Sequence, residues 1–222
     1  MSTHTADYLE AIEHLPEGAM LRLEHITWNE YEQLLEEMDE HPGMRVSYNE
    51  GRVEIMSPTH EHEMYKEVCN SMVRILSEEL GVPVEAAGAT TYKREQLMKG
   101  AEPDGSFYVQ NARAIIGIGK RNIDLSVDPL PDVIVEIDIT SESLGKFPIY
   151  AAFGAPEIWR YDGEHMQIYH LVNQSYVEAA QSLAFACLTA QALTDFIEQS
   201  KTEGQSAALA AFRQWVRTQT HR

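Results

Sequence analysis

The chain has 222 residues, 44% of them apolar, and a formal net charge of −18 at pH 7. That length suits one domain with short additions, and that charge argues against a broad basic face for nucleic acid. No window approaches the length of a membrane span, the first seventeen residues lack the apolar run of a signal peptide, and two cysteines without metal-type spacing point to a reducing, cytoplasmic setting.

Residues 1–20 read as an irregular lead-in, 21–200 as the main domain and 201–222 as a C-terminal helix. Thr27 stands three residues before Glu30 as a capping box, and Tyr31, Leu34, Leu35 and Met38 follow at helical spacing until His41-Pro42-Gly43. Two alternating runs, 44–48 and 52–56, joined through Asn49-Glu50-Gly51, predict a hairpin. A long helix is expected over 60–79, with its stripe on Met64, Tyr65, Val68, Met72, Ile75, Leu76 and Leu80, and Gly81 as its stop. Cys69 within that stripe reads as a buried thiol.

Residues 82–92 and 105–109 read as strands, and 111–130 as a loop. Residues 133–139 are an almost unbroken apolar run, as in a strand covered on both faces. A short helix over 146–153 tolerates Pro148 in its first turn and ends at Gly154. Strands over 158–161, 166–172 and 176–180 follow, with Trp159 and Tyr161 as core residues. Leu209, Phe212, Trp215 and Val216 form a final helical stripe that docks on the body or on a second subunit. The pattern predicts an α/β (mixed α+β) domain with a mixed sheet flanked by helices.

The chemistry centres on carboxylates in apolar surroundings, which need a cation or donors to compensate them. Asp132 and Glu136 share a face of one strand but lie about 13 Å apart at strand rise, too far to grip one ion. Asp104, on a separate strand, can instead lie across from Glu136 at a Cβ separation of about 5 Å. Two such carboxylates suit Mg²⁺, which completes its shell with water and substrate phosphate, and a lysine such as Lys146 would orient the attacking water or neutralise developing charge. His60-Glu61-His62 has histidines at i and i+2, which share no helical face. Lys93, Arg94, Lys99, Lys120 and Arg121 read either as a solvated face or as a phosphate contact.

From about Trp28 to Phe196 the chain resembles the putative restriction endonuclease (Uma-type) family, a branch of the PD-(D/E)XK nuclease superfamily abundant in cyanobacteria. The resemblance rests on residues 51–58 (GRVEIMSP), His62, Glu102-Pro103-Asp104, residues 131–137 (PDVIVEI), residues 140–143 (TSES) and residues 146–163 (KFPIYAAFGAPEIWRYDG). It implies a restriction-endonuclease-like fold over 21–200 and a site dependent on Mg²⁺ or Mn²⁺. Asp104 and Glu136 would be the metal ligands and Lys146 the third catalytic residue. The superfamily's Asp/Glu-x-Lys strand here carries Asp138 in place of the lysine. Lys146, four residues before Tyr150, is the replacement the resemblance implies. Asp138 then binds metal, pairs with Lys146 or weakens catalysis. His62 and Glu67 are supporting candidates.

Three functions follow. The first is hydrolysis of DNA phosphodiesters, with a homodimer expected because related nucleases pair two sites. The second is a non-catalytic binding or regulatory module on the same fold. The third is a metal-dependent hydrolase of another phosphoester.

Overall fold

The computed structural model describes residues 3–38, 43–117, 123–139 and 143–219. The expected helix stop at His41-Pro42, the basic pair Lys120-Arg121 and the Thr140-Ser141-Glu142 stretch lie outside the described residues.

The chain opens with α1 (Thr3–Glu13), β1 (Met20–Leu23) and α2 (Trp28–Met38). The stretch expected to be irregular is therefore helical over α1, and Ile12 is fully buried against α2. The capping box forms as expected: Thr27 donates from its backbone N–H and its hydroxyl to Glu30, at 2.8 and 2.7 Å. The hairpin is β2 (Arg45–Asn49) and β3 (Arg52–Met56), with Asn49 opposite Arg52. Glu50 and Gly51 both have positive φ, 51° and 98°, as a two-residue hairpin turn matching strand twist demands.

Two antiparallel additions complete the first sheet. β1 pairs with β3, and β6 (Lys99–Ala101) joins β2 to β5 (Tyr92–Arg94), giving the order β1-β3-β2-β6-β5. Strand alternation divides its faces. Val46, Tyr48, Val53 and Ile55 pack on Trp28, Tyr31 and Leu34 of α2. Arg45, Ser47, Glu54 and Met56 point the other way, into a cleft.

The long helix α3 (His60–Leu80) begins at Thr59, whose hydroxyl accepts from the His62 N–H at 3.2 Å, and ends at left-handed Gly81. Its buried stripe, including the free thiol Cys69, packs on the second sheet. That sheet has the order β11-β10-β9-β8-β7-β4, from β4 (Glu85–Ala86), β7 (Gly105–Tyr108), β8 (Val133–Ile137), β9 (Glu157–Tyr161), β10 (Met166–Val172) and β11 (Ser175–Ala179). β8 runs antiparallel to β7 and parallel to β9, so the sheet is mixed. All five β8 residues are buried. Val133, Val135 and Ile137 face α3, while Ile134 faces α5 (Phe147–Phe153), as expected for a strand covered on both sides. Trp159 and Tyr161 are fully buried core residues.

The architecture is mixed α+β with two sheets flanked by helices, where one mixed sheet was expected. The extra sheet was hidden by short strands: residues 82–92 break into β4 and β5, and β6 has three residues. Within the expected 111–130 loop, Ala112–Ile116 forms α4.

At the C-terminus, α6 (Ala190–Glu203) and α7 (Gln205–Gln219) cover α3. Phe212 is fully buried, with its ring 5.1 Å from Phe196 and stacked 5.7 Å from Trp215. Arg213 and Arg217 hold Glu79, and Arg213 also reaches Glu78. Of the two placements expected for this stripe, the body or a second subunit, the structure shows the first. Among the described residues no helix is long and apolar enough to cross a membrane. The described members of the basic cluster are committed locally: Lys93 to Glu32, Lys99 to Asn49 and Glu50, and Arg94 to the Leu125 carbonyl.

Candidate active site

The two sheets meet at the approach to β7. Glu102 accepts from the Val46 N–H at 3.1 Å and from the Thr91 hydroxyl at 2.6 Å, which ties this approach to the first sheet. Two residues later the Asp104 N–H donates to the Val135 carbonyl at 3.1 Å. The ladder Gly105↔Val135, carried one step outward, sets Asp104 opposite Glu136. This is the opposition that strand spacing predicted, and both carboxylates are almost wholly buried.

Every oxygen of the pair has a protein partner. Asp104 Oδ2 accepts from the Ile137 N–H at 2.8 Å, and Oδ1 lies 3.2 Å from Arg45 Nε. His62 Nε2 sits 3.0 Å from Asp104 Oδ2 but off the line of a good hydrogen bond, so that contact is electrostatic or van der Waals in character. Glu136 Oε1 accepts from the Tyr150 hydroxyl at 2.5 Å and Oε2 from Lys146 Nζ at 2.9 Å. Lys146 and Tyr150 are four apart, one just before α5 and one within it, so a single helical face delivers both. Lys146 Nζ also donates to the Glu102 carbonyl at 3.1 Å, fastening α5 to the junction of the sheets.

The surroundings push the two carboxyls apart. Burial raises the Glu136 carboxyl to about 8, and the Asp104 charge adds to this against the attraction of Lys146 and the Tyr150 hydrogen bond. Burial also disfavours charge on Asp104. There His62, Lys146 and the Ile137 N–H outweigh it and hold the carboxyl at about 2. Lys146 loses some basicity to burial but gains more from Glu136 and Asp104, so its ammonium is raised overall. Burial, then the Glu136 charge, drives the Tyr150 phenol well above its ordinary range, so it remains a donor.

The cleft over this pair is walled by Met20, Arg45, Ser47, Glu54 and Met56 on the first sheet. Asp104, Glu136, Ile137, Asp138 and Lys146 form the other wall. It has about 20 Å³ of room for the centres of water-sized atoms, enough for one water or an ion. No group of three or more His, Cys, Asp or Glu is assembled for metal among the described residues. The facing pair Asp104 and Glu136 is the kind of donor set that Mg²⁺ commonly takes, one or two carboxylates with the other positions left to water.

The supporting candidates separate. Asp138 lines the cleft, and its Oδ2 accepts from Arg160 Nε at 2.5 Å, while its charge also acts on the Lys146 ammonium. Arg160 stands on β9 directly beside Glu136 in the parallel register. Glu67 is exposed, lies 3.4 Å from Asn70 Nδ2 and is not part of the cleft. His60 is exposed and makes no site with His62. Asp132 is a structural staple: it accepts from the Val109 and Asn111 N–H groups at 2.7 and 3.0 Å and from Asn111 Nδ2 at 3.0 Å. Two residues of the site were not singled out from the sequence. Arg45 looked like an ordinary hairpin arginine. The visible signal for Tyr150 was its place one turn after Lys146.

Comparison with known families matches residues 28–196 to Uma2, described as putative restriction endonuclease. No curated protein matches. Among solved structures, a crystal structure of a putative nuclease belonging to DUF820 from Anabaena variabilis is 17% identical with a TM-score of 0.46, covering 68% of this chain and 90% of that one.

Proposed function

The chain belongs to the Uma2 family of putative restriction endonucleases, and from that premise we propose that it is a Mg²⁺-dependent endonuclease that hydrolyses DNA phosphodiesters. The observation that carries the reading is the meeting of Asp104, Glu136 and Lys146 in one cleft, with Lys146 Nζ 2.9 Å from Glu136 Oε2. Asp104 and Glu136 would hold the ion, which when bound polarises a phosphoryl oxygen and acidifies water. Lys146 has two duties: it keeps Glu136 in place, and its buried ammonium stabilises charge developing on the phosphate. Tyr150 orients the Glu136 carboxylate from the other oxygen. Arg160 neutralises Asp138, so the carboxylate at the superfamily's lysine position does not add an unopposed charge to the site. Cleavage of both strands would bring two copies together. The free thiols Cys69 and Cys187 accord with the cytoplasm.

A second reading, a binding module without chemistry, is favoured by one observation: Asp104 and Glu136 each already pair with a cationic side chain of the chain itself, Arg45 and Lys146. Incubation of wild type and Glu136→Ala with plasmid, in Mg²⁺ and in EDTA, separates the two. Wild type is expected to nick plasmid only with Mg²⁺, and the variant to leave it intact. Equal cutting by both proteins, or none by either, removes the endonuclease reading.

A further inference from the structure

Arg45 is the first residue of β2, and its side chain is only 6% exposed, on the cleft face of the first sheet. Its guanidinium is anchored from behind: Nη1 donates to the carbonyls of Gly43 and Met44, each at 3.1 Å. The opposite edge, Nε and Nη2, is the pair of donors that suits a carboxylate or phosphate in a two-pronged bond. Here that edge is split. Nε goes to Asp104 at 3.2 Å and Nη2 to Glu63 Oε1 at 3.4 Å, both long for charge-assisted bonds. Glu63 does not depend on Arg45, because Lys66 also pairs with it.

The charges set the same pattern. Asp104 and Glu136 are opposed by Arg45 and Lys146. Lys146 is committed to Glu136 and to the Glu102 carbonyl. A divalent cation entering this site would meet the Arg45 charge beside Asp104 and would leave a positive excess that an anion can relieve. An anion bound beside that cation would find the Nε and Nη2 edge already aimed and desolvated.

We propose that Arg45 serves two partners in turn: it neutralises Asp104 while no metal is present, and it binds a non-bridging oxygen of the substrate phosphate once metal takes Asp104. The inference rests on the nuclease reading above. It makes Arg45 a substrate-binding residue that also competes with the ion.

The test is a pair of binding curves on wild type and Arg45→Gln: Mn²⁺ alone, followed by the loss of its free electron-spin-resonance signal, and a labelled short DNA duplex in Ca²⁺. The two effects are expected to have opposite signs. The variant should bind Mn²⁺ roughly 10-fold more tightly, since a like charge is gone, and the duplex roughly 10-fold more weakly, since a charge-assisted bond is gone. A purely structural arginine would weaken both, and that outcome, or two unchanged curves, overturns the inference. Wild type that binds no Mn²⁺ overturns the nuclease reading and this inference with it. Should Arg45→Gln not fold, Arg45→Lys keeps the charge without the two-pronged edge. It is expected to hold Mn²⁺ affinity near wild type while losing duplex affinity, and retention of full duplex affinity sinks the proposal.

Discussion

Glu136→Gln is expected to reduce Mg²⁺-dependent cleavage roughly 100- to 1,000-fold while making the metal-free protein relatively more stable at alkaline pH. The two effects share one cause. Burial raises the Glu136 carboxyl to about 8 in the fold, against an ordinary value of 4.5. Between those values the folded protein holds a proton that the unfolded chain releases. The stabilising contribution is therefore complete below about 4.5 and is lost as pH rises through about 8. Asp104, held at about 2, stays ionised across that window and does not alter the sign. Glutamine imitates the protonated acid at every pH, and its carbonyl still accepts from Tyr150 or Lys146. Urea denaturation in EDTA at pH 5.5 and 8.5 measures the difference. The variant's stability relative to wild type should rise with pH, and parallel pH profiles for the two proteins would refute the assignment. Saturating Mg²⁺ should narrow the gap in favour of wild type, because only the carboxylate rewards the ion.

Phe212→Ala is expected to destabilise the protein by about 3–5 kcal/mol, the usual cost of emptying a buried aromatic site. For a chain of this size that lowers the melting temperature by roughly 10 °C. Phe212 is fully enclosed between Phe196 and Trp215 and belongs to the same core as Val68, Met72 and Val135. Its removal opens a void where α6, α7 and α3 meet, and the ion pairs from Arg213 and Arg217 to Glu79 are too exposed to compensate. Calorimetry of the variant provides the measure. A shift of only one or two degrees would mean that α7 contributes little to the core. Oligomeric mass by light scattering should not change, since the residue faces its own chain.

The facing of the two carboxylates at the candidate site was legible because strand geometry is strict. Four residues along one strand separate Asp132 from Glu136, whereas one step across a ladder brings Asp104 to Glu136, and the β7–β8 register does just that. Lys146 was legible through the family resemblance and the short helix that carries it. Arg45 was not, because an arginine in an alternating strand normally marks a solvated face. Only the second sheet, invisible from the hairpin alone, turns that face inward. Asp138 was ambiguous for a related reason: its partner Arg160 comes from a parallel neighbour across β8–β9, a pairing that sequence adjacency does not reveal. Glu67, one turn further along α3, is exposed and does not line the cleft, whereas Glu63 in the first turn meets Arg45. The strands β1 and β6 are too short to leave a periodic signature.

The buried thiol of α3 has a practical consequence. Cys69 has no exposed surface, and burial, reinforced by the charge of Asp104, pushes it up to about 12. A thiol that is both inaccessible and protonated cannot attack an alkylating reagent. Cys187 is less deeply placed and is raised mainly by burial. The molecule therefore contains its own pair of clocks: the slower of two labelling phases is expected to belong to Cys69 and to time the separation of α3 from the sheet that carries the acidic pair. Any ligand that grips Asp104 and Glu136 together should lengthen that phase, whether or not it is ever turned over.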